Sequence, residues 1–180
     1  SLKNKNKTLL LKSPFNTGRI KFLLKLFPDA KFIHIYRNPY SVFSSNERLY
    51  EGILPKLAFH AISNDEMEKH VYYTYKSSME EYFKHRNLIP EKNIIEFSYE
   101  DFIINEMDYL RKIYVQFNLG NFEEVMPFFQ NEISGQQNYE TNKYQLTLEK
   151  ENEVYLNWKF AFDMLGYEQI SPGVNAHHKV

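Results

Sequence analysis

Hydrophobic and polar positions alternate along the chain in blocks that can be assigned one after another. The first clear block, Thr8 to Lys12 (TLLLK), is an apolar run bounded by polar residues and predicts a short buried strand. A turn-forming stretch, SPFNTG (13–18), follows. Ile20, Leu23, Leu24 and Phe27 then recur at i, i+3, i+4 and i+7, the stripe of one helix face, and Pro28 with Asp29 stops it. Lys31 to Tyr36 is strand-like again, so residues 8–36 read as a strand, helix, strand crossover of about 30 residues with two parallel strands. Asn38 as cap and Pro39 at the first helical position predict a helix to about Tyr50.

Gly52 and Pro55 interrupt the pattern of residues 51–62, where no element is assigned. Asn64 or Asp65 is expected to cap a long helix to about Arg86, with Met67, Val71, Tyr75, Met79 and Phe83 on one face. NIIEFSY (93–99) predicts a third strand, and Glu100 with Asp101 suits the helix start that follows. Further helices are expected at about 101–118, 121–132 and 147–164, the last capped by Thr147 and ended by Gly166. Strands alternating with helices imply an α/β fold with a parallel sheet. Three strands are few for so many helices, so part of the sheet is expected to be missing.

Composition narrows this picture in three places. Lys and Arg number 22 against 23 Asp and Glu, so global charge selects neither nucleic acid nor a membrane surface, and any anion site is built from local groups. The absence of cysteine excludes disulfides and thiolate metal sites; it fits a reducing compartment, and a cytoplasmic location is the expectation. No apolar run approaches the roughly 20 residues of a membrane span, so a soluble protein is expected. Residues 1–7 read as a polar leader without the apolar stretch of a signal peptide, and residues 169–180 as a flexible tail. The 14 Tyr and 15 Phe are spread over every segment and read mainly as core filling, as does Trp158.

The six histidines (34, 60, 70, 85, 177 and 178) show no HExxH-like spacing; His34 is expected inside its strand, and no metal site is expected. Neither a Gly-x-Ser-x-Gly elbow nor a Walker loop is present. The cations at the strand ends are more informative. In parallel sheets ligands gather at the carboxyl ends of the strands, where Lys12 and Arg37 are expected. Arg37 precedes the 39–50 helix, whose positive end favours an anion, and Ser45 lies about 10 Å along that helix. Two readings stand side by side: Arg37 and Ser45 share a phosphate, or Arg37 pairs with a surface carboxylate and Ser45 is an exposed helical serine.

LLLKSPF, followed by LLKLFPDAKFIHIYRNPYSVFSS, resembles the core of the sulfotransferases that use 3'-phosphoadenosine 5'-phosphosulfate (PAPS), closer to the tyrosylprotein and bacterial-type branch than to the cytosolic phenol and steroid branch. In that branch a Lys-Asp-Pro-Phe segment precedes a Phe-Pro-x-x-Lys-Phe strand ending in Arg, with a Ser eight residues beyond. IIEFSYEDFI is similar to the family's later strand and Tyr-Glu-Asp-Leu element, and LRKIYVQFNLG to the helix after it. The resemblance covers most of residues 8–120.

It implies a P-loop-like sulfotransferase fold and roles for individual residues. Lys12 would stabilise the leaving group, Arg37 and Ser45 would hold the 3'-phosphate, and Tyr99 would lie against the adenine. Lys143, in the polar loop 134–146, is a further candidate for the nucleotide phosphate. Two departures matter. Pro14 stands where the cytosolic branch has a catalytic His, and the cytosolic Arg-Lys-Gly signature is absent. The family's N-terminal strand, its 5'-phosphosulfate loop and the Glu base beyond that loop have no counterpart before Thr8.

Residues 8–168 are therefore expected to be the C-terminal part of a single sulfotransferase-like domain. The expected reaction is sulfuryl transfer from PAPS to a hydroxyl or amine acceptor, without a metal, by a protein that binds no nucleic acid. This fragment alone is expected to be inactive. A P-loop phosphotransferase relative and a non-catalytic nucleotide-binding or interaction domain are the alternatives.

Overall fold

The computed structural model describes residues 8–57, 61–135 and 146–169. Its sheet has two parallel strands, β1 (Phe32–Tyr36) and β2 (Ile94–Ser98), paired in the register Phe32 to Ile94 through Tyr36 to Ser98. Among the described residues seven α-helices accompany them: α1 (Ile20–Leu26), α2 (Pro39–Leu57), α3 (Asn64–His85), α4 (Tyr99–Ile104), α5 (Glu106–Phe117), α6 (Phe122–Gly135) and α7 (Leu148–Leu165). The expected α/β character, with a small parallel sheet among many helices, is what the chain adopts.

Residues 8–12 do not form the expected strand. They carry no regular structure, and Leu9, Leu10 and Leu11 are exposed. A strand exists only by pairing, and no described strand runs beside this segment to take its backbone amides and carbonyls. The crossover expected over 8–36 is therefore absent. The parallel pair is instead β1 with β2, joined through α2 and α3.

Helix boundaries follow local chemistry. Asn38 caps α2 as expected: its Oδ1 accepts the Tyr40 amide at 2.9 Å, and Pro39 occupies the first turn, where no amide is needed. The helix runs beyond Tyr50 to Leu57. The cap of α3 is Ser63, not Asn64 or Asp65. Its hydroxyl accepts the Glu66 amide at 3.3 Å while Glu66 accepts the Ser63 amide at 2.9 Å, a reciprocal capping box. The helix expected over 101–118 is broken at Asn105, which leaves helical geometry between α4 and α5. Thr147 and a left-handed Gly166 (φ 77°) bound α7 as expected.

The main core lies between α2, α3 and α7, where Tyr40, Phe43, Val71, Val154, Trp158, Ala161 and Phe162 bury one another. Trp158 is fully buried, as expected of a core residue, and its indole N–H donates to the Tyr72 carbonyl at 3.2 Å. One face of the sheet meets α1 and α3 through Ile20, Met79, Tyr82 and Ile94. On the other face Ile95 and Phe97 of β2 pack on Ile113 and Phe117 of α5, whereas Ile33 and Ile35 of β1 are exposed. The helix packing thus holds the carboxyl ends of β1 and β2 side by side.

Candidate active site

The residue after each strand is a sequence-predicted site residue: Arg37 follows Tyr36, and Tyr99 follows Ser98. The parallel register aligns the two strand ends, and the Arg37 guanidinium lies 4.7 Å from the centre of the Tyr99 ring. Arg37 Nε is buried without a hydrogen-bond partner, and Arg37 makes no ion pair among the described residues. No carboxylate among the described residues supplies the partner that the alternative reading of Arg37 requires. A guanidinium leaning on an aromatic ring with a donor unused is suited to an anion attached to a flat group.

Ser45 stands exposed on α2, two turns beyond its start, while its neighbour Ser44 is buried and donates to the Tyr40 carbonyl at 3.1 Å. Of the two, only Ser45 presents its hydroxyl to solvent. The start of α2 differs from the expectation of free amides facing an anion. Glu100 Oε1 accepts the Asn38 amide at 3.1 Å, and the Asn38 side chain accepts the Tyr40 amide. A carboxylate already complements this helix end, so any added anion faces mainly the Arg37 guanidinium.

Sequence reasoning treated Glu100 only as a helix start and gave Tyr167 no role. In the structure the Tyr167 hydroxyl donates to Glu100 Oε2 at 2.7 Å, and its ring meets Tyr36 edge-on. Burial, then the bond to Glu100, pushes the Tyr167 phenol up, so it remains a donor. The adjacency of Glu100 to Tyr99 was the one signal available in the sequence. Lys12 lies exposed in the irregular 8–13 segment and makes no hydrogen bond, ion pair or ring contact with Arg37 or Tyr99. Lys143 lies outside the described residues.

A second polar cluster sits on the sheet face that meets α1 and α3. Glu96 of β2 receives Arg86 Nε at 2.6 Å and the Tyr82 hydroxyl, beside a cavity of about 330 Å³ lined by Tyr36, Phe83, Arg86 and Met164 among others. His34 stacks on Tyr82 with ring centres 3.9 Å apart, and its Nδ1 lies 3.8 Å from Glu96. Its side chain is 12% exposed, in keeping with the expected place inside the strand. Among the described residues no acidic, His or Cys cluster is suited to a metal ion, and no helix is long and apolar enough to cross a membrane.

These features define an α/β protein whose parallel strands end in an Arg and Tyr pair. Residues 1–124 match the Sulfotransferase family, and the chain belongs to it. It is 34% identical over 168 residues to omega-hydroxy-beta-dihydromenaquinone-9 sulfotransferase Stf3 of Mycobacterium bovis and equally to that of Mycobacterium tuberculosis. Those alignments take in 93% of this chain and 43% of each relative, so the chain spans less than half the length of the curated relatives it matches. The fold resembles the crystal structure of sulfotransferase STF9 from Mycobacterium avium, with a TM-score of 0.71 at 22% identity over 88% of this chain and 42% of that one.

Proposed function

We propose that the protein carrying this chain transfers a sulfuryl group from PAPS to an acceptor hydroxyl, releasing adenosine 3',5'-bisphosphate, without a metal. The observation that carries this reading is the Arg37 guanidinium held 4.7 Å over Tyr99 with its Nε unpartnered. In the proposed complex Arg37 holds the 3'-phosphate, the exposed Ser45 hydroxyl adds a donor to it, and Tyr99 supports the adenine. Lys143 is a further candidate for the nucleotide phosphate. The family match favours this reading over a phosphotransferase relative. A hydroxyl acceptor, rather than an amine, is in line with the omega-hydroxy compound in the relatives' name.

Transfer is in-line displacement at sulfur: the acceptor oxygen forms a bond to sulfur as the bond to the bridging phosphate oxygen breaks. The acceptor loses its proton, and negative charge grows on the departing oxygen. An ammonium placed there stabilises the transition state more than the ground state, and Lys12 is the residue assigned to this task. That role needs the 8–12 segment to pair as a strand and bring Lys12 to the strand ends. The test is transfer of labelled sulfate from PAPS to hydroxyl acceptors by the full-length protein. Nucleotide binding without transfer to any acceptor would instead support a non-catalytic binding domain.

A further inference from the structure

Glu100 occupies a junction that the proposed roles do not use. Its two carboxylate oxygens take donors from different parts of the chain: Oε1 from the Asn38 amide at 3.1 Å and Oε2 from the Tyr167 hydroxyl at 2.7 Å. Asn38 directly follows Arg37, Glu100 directly follows Tyr99, and Tyr167 directly follows the glycine that ends α7. One side chain therefore ties the turn after β1, the start of α4 and the end of the last helix. The chain neighbours of Asn38 and Glu100 at the sheet edge, Arg37 and Tyr99, are the two residues whose side chains meet as cation and ring.

We propose that Glu100 and Tyr167 are positioning residues for donor recognition, holding the Arg37 guanidinium over Tyr99 so that one nucleotide can meet both. This rests on the assignment of Arg37 to the 3'-phosphate. An Arg side chain has several free torsions, and each unfixed torsion dilutes the geometry able to take a phosphate. Glu100 tethers the backbone beside Arg37 through the Asn38 amide and is itself anchored by the Tyr167 hydroxyl. It makes no ion pair with Arg37, so it leaves the guanidinium available to an anion.

The chemistry separates positioning from charge. In Glu100→Gln the amide oxygen can accept the Asn38 amide while the NH2 donates to the Tyr167 oxygen, because a phenol both donates and accepts. In Glu100→Ala both bonds are lost. Affinities for adenosine 3',5'-bisphosphate and adenosine 5'-phosphate, measured by calorimetry, give the preference for the 3'-phosphate in each variant. Amide exchange at Asn38, followed by NMR, reports on the bridge without any nucleotide.

Glu100→Ala is expected to lower the 3'-phosphate preference about tenfold and to speed exchange at Asn38, as loss of a charged hydrogen bond does. Glu100→Gln is expected to keep the preference within about twofold, and Tyr167→Phe to fall between the two. If Glu100→Ala speeds exchange and lowers the melting temperature yet leaves the preference unchanged, Glu100 is merely structural and the inference is overturned. If wild type prefers the bisphosphate, Arg37→Ala abolishes that preference and Glu100→Ala does not alter it, the inference alone fails. A wild type with no preference overturns both the inference and the assignment beneath it.

Discussion

Removing the Arg86 guanidinium leaves the Glu96 carboxylate short of its strongest partner. The Glu96 side chain is 22% exposed, and Arg86 reaches it with both Nε and a terminal nitrogen while Tyr82 donates to the other oxygen. Burial alone pushes the Glu96 carboxyl up; His34, Arg86 and Tyr82, gathered around it, outweigh burial and hold the group well below the usual carboxylate range. His34 faces the same carboxylate from β1, with its Nδ1 3.8 Å from Glu96 Oε1. Stripping one partner from a buried pair costs about 3–5 kcal/mol. Arg86 is 42% exposed, so solvent screening reduces that, and Arg86→Ala is expected to cost about 2 kcal/mol. In a chain of 180 residues that lowers the melting temperature by about 4–8 °C.

The pH dependence carries a sign. Because the folded-state pKa of Glu96 is depressed, its contribution is present above the unfolded value of about 4.3 and is lost as pH falls from there toward the folded value. Urea unfolding followed by circular dichroism, at neutral pH and again below about pH 4, measures both quantities. The gap between wild type and Arg86→Ala is expected to shrink in acid, where the stranded carboxyl of the variant takes up a proton. A gap under about 0.5 kcal/mol at neutral pH, or one that does not change with pH, would refute the reasoning.

Two further outcomes are expected. Trp158→Ala removes a fully buried indole packed on Phe43, Tyr72 and Tyr75, and should cost about 3–5 kcal/mol in the same unfolding assay, with Trp158→Phe losing less. In the full-length protein, Lys12→Ala should lower the rate of sulfate transfer by about 10²–10³-fold while leaving affinity for adenosine 3',5'-bisphosphate nearly unchanged, as measured by single-turnover kinetics and calorimetry.

Local chemistry made the helices legible. Asn38, Thr147 and Gly166 mark their ends through side-chain oxygens and a left-handed turn, all visible in sequence. The Ser63 cap was equally readable, since Glu66 stands three residues on, but Asn64 and Asp65 are also good caps and only the reciprocal bonds distinguish them. The 8–12 segment misled because apolar patterning reports what a strand would bury, whereas pairing depends on a neighbour that the pattern does not name. Arg37 and Tyr99 were chosen from separate motifs, and their contact follows from the parallel register of β1 and β2. The Glu100 and Tyr167 contact was not legible because the partners lie far apart in sequence: 62 and 67 residues for the two Glu100 bonds. No periodicity records such a contact.

The placement of the donor at the Arg37 and Tyr99 pair is tested most directly by titrating adenosine 3',5'-bisphosphate and adenosine 5'-phosphate against wild type and Arg37→Ala. Wild type is expected to bind the bisphosphate at least about tenfold more tightly, since a charged hydrogen bond to the 3'-phosphate is at stake, and Arg37→Ala to bind the two nucleotides alike. A wild type indifferent to the 3'-phosphate, or an Arg37→Ala protein that keeps the full preference, would contradict the account.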